Sequence, residues 1–454
     1  MQRSRSTRRA FLQQAGLAGA AVVAVPQIVP SSVFGANAPS KKLNIASLGC
    51  GGRGQGIMPT GENIIALCDV DARRIARTKE SKKGAVEKAK VYEDYRKLLD
   101  EEKSLDAVVV ASGQRWHVPM SKAAMLAGKH VFCEKPLCHS TAEAREIREL
   151  AKNCKVSTQM GSQGGASQTF RRSMEVIQAG VLGPVRETHA WITRSFPKSA
   201  SIDTNADPIP PELNWDFWCG PSALLPFKNY YLGGCLAWGR WLEFGDGHLA
   251  DMGAHGLNLP WRALKLGPAL KASVEVNEPI KDSYPSATKF RWDFAARPDM
   301  PACAVYWHDG PKAGPPEELG KELISTYNKV PGDGVLFAGE KGILFSNAWG
   351  VGGVVKLKGE AKCRGVLDHD ACKPVPTSLP KGGNHMGEWI DACKGGPKTF
   401  QGFETAADIA ELAMIGIVTL RLGKPIEWDS AALKAKGEPA ADVLVNRPQR
   451  KKWL

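Results

Sequence analysis

Asp251 and His255 stand four residues apart in Gly247-His248-Leu249-Ala250-Asp251-Met252-Gly253-Ala254-His255. On a helix that spacing puts both side chains on one face. A carboxylate beside an imidazole suits general acid–base work on a hydroxyl, because histidine titrates near neutrality. The same spacing also fits a capping aspartate and a histidine satisfied within a core. His248, Asp251 and His255 together could chelate a metal, but no further ligand is signalled and none is expected. Lys135, in Glu134-Lys135-Pro136, follows the apolar run Lys129-His130-Val131-Phe132-Cys133. If that run is a parallel strand, its end lies at the sheet edge where doubly wound folds bind ligands. A lysine there can donate a hydrogen bond to a substrate oxygen; a surface-loop lysine is the plain alternative.

A second constellation predicts what Lys135 sits beside. Leu43-Asn44-Ile45-Ala46-Ser47-Leu48 reads as a strand and runs into Gly49-Cys50-Gly51-Gly52-Arg53-Gly54, a G-x-G-x-x-G turn. A helical stretch, the apolar run Ile64–Cys68 and Asp69 follow. Gly49 permits the tight turn, Gly51 lets backbone approach a pyrophosphate, and Gly54 lets helix pack on strand. Gly52 and Arg53 fall in the same turn and are placed at the cofactor. Asp69 can accept both hydroxyls of an adenosine ribose and repels a 2′-phosphate, which favours NAD. Arg73 and Arg74 keep NADP open.

The elements that must position these residues alternate. A charged helix is expected from Asp69 to Lys90 and another over Tyr92–Glu101. Leu105–Ala111 reads as a buried strand, and Val118–Ala127 as a helix closed by Gly128. Thr141–Lys152 is a helix and Lys155–Met160 a last strand. The spacing predicts a parallel, doubly wound sheet over 42–160. Period-2 runs then dominate at Val185–Thr193, Ser273–Val276, Ser286–Phe294, Ala302–Trp307 and Gly334–Gly339. They predict an α/β domain over 161–440 with an open, mainly antiparallel sheet. Residues 441–454 read as a tail. Aromatic residues crowd between Trp215 and Trp241. Flat faces such as Trp218, Tyr231 and Trp238, with Trp116 upstream, suit sugar rings, and equally suit core packing.

At the N-terminus, Thr7-Arg8-Arg9-Ala10-Phe11-Leu12, a small apolar stretch over 15–25 and Ala36-Asn37-Ala38 read as a Tat signal over 1–38. The expectation is export through the Tat machinery to the periplasm or cell envelope, with no stable membrane anchor. That route carries folded proteins, which implies a cofactor loaded first and held tightly. The chain has 454 residues and a formal charge of +13. Four unopposed arginines in 1–38 account for four of that excess, leaving +9 for the rest. The remainder is dispersed rather than gathered in aromatic-flanked runs, so no nucleic-acid partner is expected. The eleven cysteines form no metal-like pair and read mainly as buried thiols.

Together these pieces resemble the glucose–fructose oxidoreductase / inositol dehydrogenase (Gfo/Idh/MocA) family, in an exported branch. Ala127–Leu137 resembles its AGKHV-x-x-EKPL stretch, Asp251-x-x-x-His255 its active-site helix, and Trp215–Pro221 its WD-x-W-x-GP segment. The resemblance implies Lys135, Asp251 and His255 as a catalytic trio. It places Glu134, Gln163 and the nearby Gln159 beside the cofactor. Ser112 and His117 are expected there too, although Ala111–His117 lacks the usual T-P dipeptide. Asn258 stands where Asp is common. Hydride exchange between a sugar or polyol hydroxyl and a retained nicotinamide is implied. Relatives that recycle NAD while cleaving a glycoside, or that dismutate sugars, leave a redox-neutral route open, and a non-enzymatic sugar- or nucleotide-binding role is the remaining alternative. A homo-oligomer is also expected.

Overall fold

Six short parallel strands open the described chain: β1 (Asn44–Leu48), β2 (Asn63–Cys68), β3 (Lys90–Tyr92), β4 (Ala107–Val110), β5 (His130–Cys133) and β6 (Thr158–Met160). Their order is β3-β2-β1-β4-β5-β6, so the order in which strands are added reverses between β1 and β4 while all stay parallel. β4 is buried at every position, which is why it reads as an unbroken apolar run. The structure is a computed structural model and describes residues 42–453. The export signal expected in 1–38 lies outside those residues.

Two local expectations need correction. The helix expected to reach Lys90 ends at Ser81, and Lys90–Tyr92 forms the edge strand β3. The next helix begins at Tyr95 rather than Tyr92, because the Asp94 carboxylate caps it by accepting from the Arg96 N–H at 2.8 Å.

The second sheet has ten strands: β7 (Val185–Ile192), β8 (Lys271–Val276), β9 (Thr288–Phe294), β10 (Cys303–Asp309), β11 (Asp333–Gly339), β12 (Gly342–Ser346), β13 (Val354–Leu357), β14 (Arg364–Gly365), β15 (Ile426–Asp429) and β16 (Lys434–Ala435). They run in the order β14-β13-β12-β11-β7-β10-β9-β8-β15-β16. Only β7 and β10 pair in parallel; the other neighbours are antiparallel. The architecture is therefore α/β, a Rossmann-type sheet followed by a domain with an open, mainly antiparallel sheet.

One hydrophobic core runs through both sheets. The apolar helix Phe403–Leu422 packs on the Rossmann helix Thr141–Asn153, on β8 and on the helix Gly247–Gly256. Late segments also return to the first domain. The helix His385–Cys393 buries Trp389 against Phe132 of β5, with ring centroids 5.7 Å apart. Residues 442–453 are a packed strap rather than a loose tail. Arg447 pairs with the fully buried Asp246, Arg450 reaches Asp216 at 2.5 Å, and Trp453 stacks on Phe217 at 4.3 Å.

Candidate active site

The glycine turn is held by close backbone approaches. Gly49 has φ +89°, and a Cβ there would lie 2.5 Å from the Ala111 carbonyl oxygen. The loops after β1 and β4 therefore touch at the point where the strand order reverses. A Cβ on Gly54 would lie 2.1 Å from the Gly49 carbonyl oxygen, so the next helix seats directly on the turn. Gly52, with φ +45°, faces open space. Asp69 spans the turn: its carboxylate accepts from the Cys50 N–H at 2.7 Å and from the Asp71 N–H at 3.0 Å. Burial raises its pKa, and those two N–H donors oppose the shift. Arg73 forks onto Asp71 at 2.7 and 2.8 Å. Arg74 lies along Gly51 and donates to the Leu232 carbonyl at 3.1 Å. A glycine cradle open at Gly52, with an acid at the end of β2, fits a dinucleotide carrying free ribose hydroxyls.

The three chemistry-bearing side chains converge. Lys135 extends from the end of β5 and its Nζ meets Asp251 Oδ1 at 2.5 Å. Burial disfavours the ammonium, but the Asp251 charge outweighs it and holds the Lys135 pKa above its ordinary value. Burial likewise works against the Asp251 carboxylate, and Lys135 overcomes it, holding that pKa down. Asp251 and His255 lie on the wholly buried helix Gly247–Gly256, as the i, i+4 spacing predicted. Gly256 lets this helix sit against Trp307 and Ala190 of the large sheet. His255 is pushed down to about 3, first by burial and then by the Lys135 charge. It is therefore neutral at neutral pH, and its Nδ1 has no hydrogen-bond partner. Trp349 approaches its ring, with centroids 5.9 Å apart.

Other expected residues hold the site rather than face it. Glu134 is 4% exposed, receives Arg53 Nε at 2.8 Å and packs where a Gly161 side chain would be. It braces the glycine turn against β5. His117 is buried, with Nδ1 2.5 Å from the Pro136 carbonyl and Nε2 3.1 Å from the Ser112 carbonyl. Burial pushes it to about 4, so the neutral ring bridges the two loops. Ser112 remains half-buried at the reversal point, and Gln163 is exposed just after β6. Gln159 is buried and donates to the His385 carbonyl at 2.5 Å. Asn258 accepts from Arg262 Nε at 2.8 Å.

The sugar-facing aromatics need correction. Trp116 is 3% exposed, packed on Phe217, and donates to the Phe217 carbonyl. Tyr231 is wholly buried among Trp215, Trp241 and Phe244. Trp218 stacks on Trp215 at 4.6 Å and lies under the Arg115 guanidinium at 3.9 Å. Trp218 and Trp238 are half-buried, Trp238 at the end of the 232–238 segment. The loop lacking the T-P dipeptide ties the domains together: Gln114 donates to Asp246 at 2.6 Å, and Arg115 Nε to the Trp218 and Cys219 carbonyls, each at 3.0 Å. Sequence reading missed His385, whose charge would act on His255, and Cys235, which lies beside Asp251 and Lys135. No motif marks either one. His248 stacks on Phe196 at 3.8 Å and neither ring nitrogen has a partner. Among the described residues no group of three or more His, Cys, Asp or Glu side chains is placed to hold a metal ion.

Residues 43–162 match the family model GFO_IDH_MocA, described as an oxidoreductase family with an NAD-binding Rossmann fold. The first domain is thus similar to the NAD-binding Rossmann domain of that oxidoreductase family. Over 131 residues the chain is 30% identical to inositol 2-dehydrogenase of Salmonella typhimurium (strain LT2), covering 29% of this chain and 38% of that protein. It is 32% identical over 144 residues to glycosyl hydrolase family 109 protein 2 of Shewanella sp. (strain ANA-3), covering 28% and 31%. The chain thus spans about a third of these curated relatives' length. The aldose–aldose oxidoreductase from Caulobacter crescentus complexed with glycerol shares the fold over 85% of this chain and 100% of that one, with a TM-score of 0.57 at 17% identity.

Proposed function

We propose that the protein is an NAD-dependent oxidoreductase acting on a hydroxyl of a sugar or polyol. The observation that carries this reading is the convergence of Lys135, Asp251 and His255 at the C-terminal edge of an NAD-binding sheet. The glycine turn and Asp69 would hold the dinucleotide, whose nicotinamide, when bound, accepts hydride from a carbon bearing a hydroxyl. The neutral His255 is in the form able to take the hydroxyl proton. Lys135, kept charged by Asp251, donates to the reacting oxygen and stabilises the charge that grows there. Asp251 fixes the ammonium and stands one turn before the imidazole, so base and oxyanion donor share one wall. The names of the relatives, a polyol dehydrogenase and an aldose oxidoreductase, support this substrate class.

The twin arginines over 1–38 support export by the Tat route to the periplasm or envelope, with the cofactor loaded beforehand and retained. Association of copies belongs to the same proposal, and light scattering on purified protein checks it. The deciding experiment is mass spectrometry of nucleotide released from purified protein, followed by a screen of sugars, polyols and glycosides. NADH formation with a free sugar or polyol is expected. Cleavage of a glycoside without added NAD and without net NADH would mark the redox-neutral version. Protein that carries no nucleotide and binds none sinks the proposal.

A further inference from the structure

Between Tyr231 and Gly239 the chain rises into a short exposed arch, Leu232–Trp238. Both feet are anchored. Tyr231 is locked in the aromatic cluster, and the Gly239 carbonyl accepts from the Gly247 N–H, 3.0 Å away at the start of the catalytic helix. The middle of the span carries little packing: Gly233, Gly234 (φ +93°) and Cys235 are exposed and Leu236 is 47% exposed, while Leu232 and Trp238 at its ends are half-buried against the aromatic cluster. This arch comes from the second domain, yet one bond ties it to the first. Arg74 Nη2 donates to the Leu232 carbonyl at 3.1 Å, joining residues 158 apart in sequence. The Arg74 stem lies over the glycine turn, its Cδ 2.9 Å from where a Gly51 Cβ would be, and Asp71 steadies its guanidinium at 3.7 Å.

The other end of the span meets the chemistry. Cys235 is exposed as a residue, yet burial is the first cause raising its thiol pKa and the Asp251 carboxylate the second. The Lys135 and Asp251 charges both act on this thiol, which puts the middle of the span within electrostatic reach of that pair. Three residues reach at most about 11 Å. Leu232 to Cys235 thus runs from the Arg74 side chain, which lies over the glycine turn, toward the Lys135–Asp251 pair, the two places assigned above to the dinucleotide and the reacting carbon.

We propose that the arch Leu232–Trp238 roofs the cofactor, and that Arg74 is the positioning residue that latches this roof and sets how long a bound dinucleotide stays. The proposal rests on the reading that the cleft holds NAD. A dinucleotide under a closed roof leaves only when the roof lifts, so the latch acts on the release rate more than on capture. Losing one half-exposed, charge-assisted hydrogen bond corresponds to a release roughly tenfold faster.

The test uses the full chain loaded with NADH, with release followed by stopped-flow fluorescence against a trapping competitor. Arg74→Ala should speed release about tenfold with little change in association. Lys79→Ala, an exposed change on the same helix, should leave release unchanged. Gly234→Val strains the arch at a positive φ without meeting any neighbour and should reproduce the Arg74→Ala effect, which keeps the idea testable if Arg74→Ala fails to fold. Unchanged release in either folded variant overturns the latch. So does a result in which Arg74→Ala weakens NADP binding alone, since Arg74 would then be reading a 2′-phosphate. A wild-type protein that binds neither dinucleotide overturns the functional reading as well, and equilibrium titration of wild type separates that failure from failure of the latch.

Discussion

The Lys135–Asp251–His255 set divides its work by charge. Lys135 stays protonated because Asp251 is pressed against it, and that same positive charge helps to keep His255 neutral. Removing each end should therefore have a different signature. His255→Ala should lower kcat/KM for the sugar or polyol by roughly 10²- to 10⁴-fold, the usual contribution of a positioned acid–base group. NAD affinity should stay close to wild type, because the glycine turn and Asp69 lie on other elements; equilibrium titration with NAD checks this, and undiminished turnover would remove His255 from its role. Lys135→Met should cut kcat too, but it also changes titration. With the cation gone, the second cause depressing His255 disappears, so the histidine pKa rises toward its ordinary value. The acid limb of the kcat/KM profile should then move to higher pH. A limb that stays in place, or moves to lower pH, would mean that Lys135 does not govern the imidazole.

At the scale of elements, the C-terminal strap 442–453 closes the molecule around a buried charge cluster. Asp246 precedes the helix Gly247–Gly256 and is fully buried; it contacts His139 Nδ1 at 2.8 Å, accepts from Gln114, and pairs with Arg447. Burial alone would raise its pKa, but Arg447 and then His139 overcome this and hold it down at about 2. Arg447→Ala leaves that carboxylate buried without its main counter-charge. The expected cost is about 3–5 kcal/mol of stability, the range for breaking a buried ion pair from one side. Urea unfolding of the full chain measures it. The loss should be accompanied by lower activity, since Asp246 is joined through Gln114 to the loop after β4 and directly to the helix that carries Asp251 and His255. A destabilisation below about 1 kcal/mol, the level of a surface pair, would show that the strap is peripheral.

Across the whole molecule, legibility in sequence followed the kind of constraint involved. The glycine turn, Asp69 and the Lys135 strand end could be read because each meets a local backbone demand with few residue solutions: Gly49 needs its positive φ, and Gly54 has no room for a Cβ. Asp251 and His255 could be read because helical periodicity brings them together whatever surrounds them. Trp116 and Tyr231 could not be placed, because an aromatic side chain suits a core and a sugar equally, and only packing decides. His385 and the 232–238 arch were hidden because their positions depend on contacts from distant segments. The same packing leaves a pH signature. His117, His248, His308 and His385 are pushed down to about 4, and His189 and His255 to about 3, with burial the first cause in each. Unfolded, each takes up a proton near its ordinary value of 6.5; folded, none does until about 3–4. Between those limits the unfolded chain binds more protons, so stability rises with pH and falls on acidification, by up to about 1.4 kcal/mol per pH unit for each histidine. Asp309 runs the other way. Burial raises it to about 6, against the donors Thr288 and Trp307, so its contribution is present below its ordinary 3.8 and is lost as pH rises through about 6. Burial raises Asp69, Glu134, Glu143 and Glu388 as well, so six histidines stand against five carboxyls, and the midpoint of thermal unfolding should fall from about pH 6.5 to about pH 4. Asp309→Asn removes one opposing group while keeping an oxygen for Thr288 and Trp307, so its acid loss should be steeper than wild type. Calorimetric scans of both proteins across that window decide the matter: a flat wild-type midpoint, or a shallower slope in Asp309→Asn, would show that these buried groups do not set the acid stability.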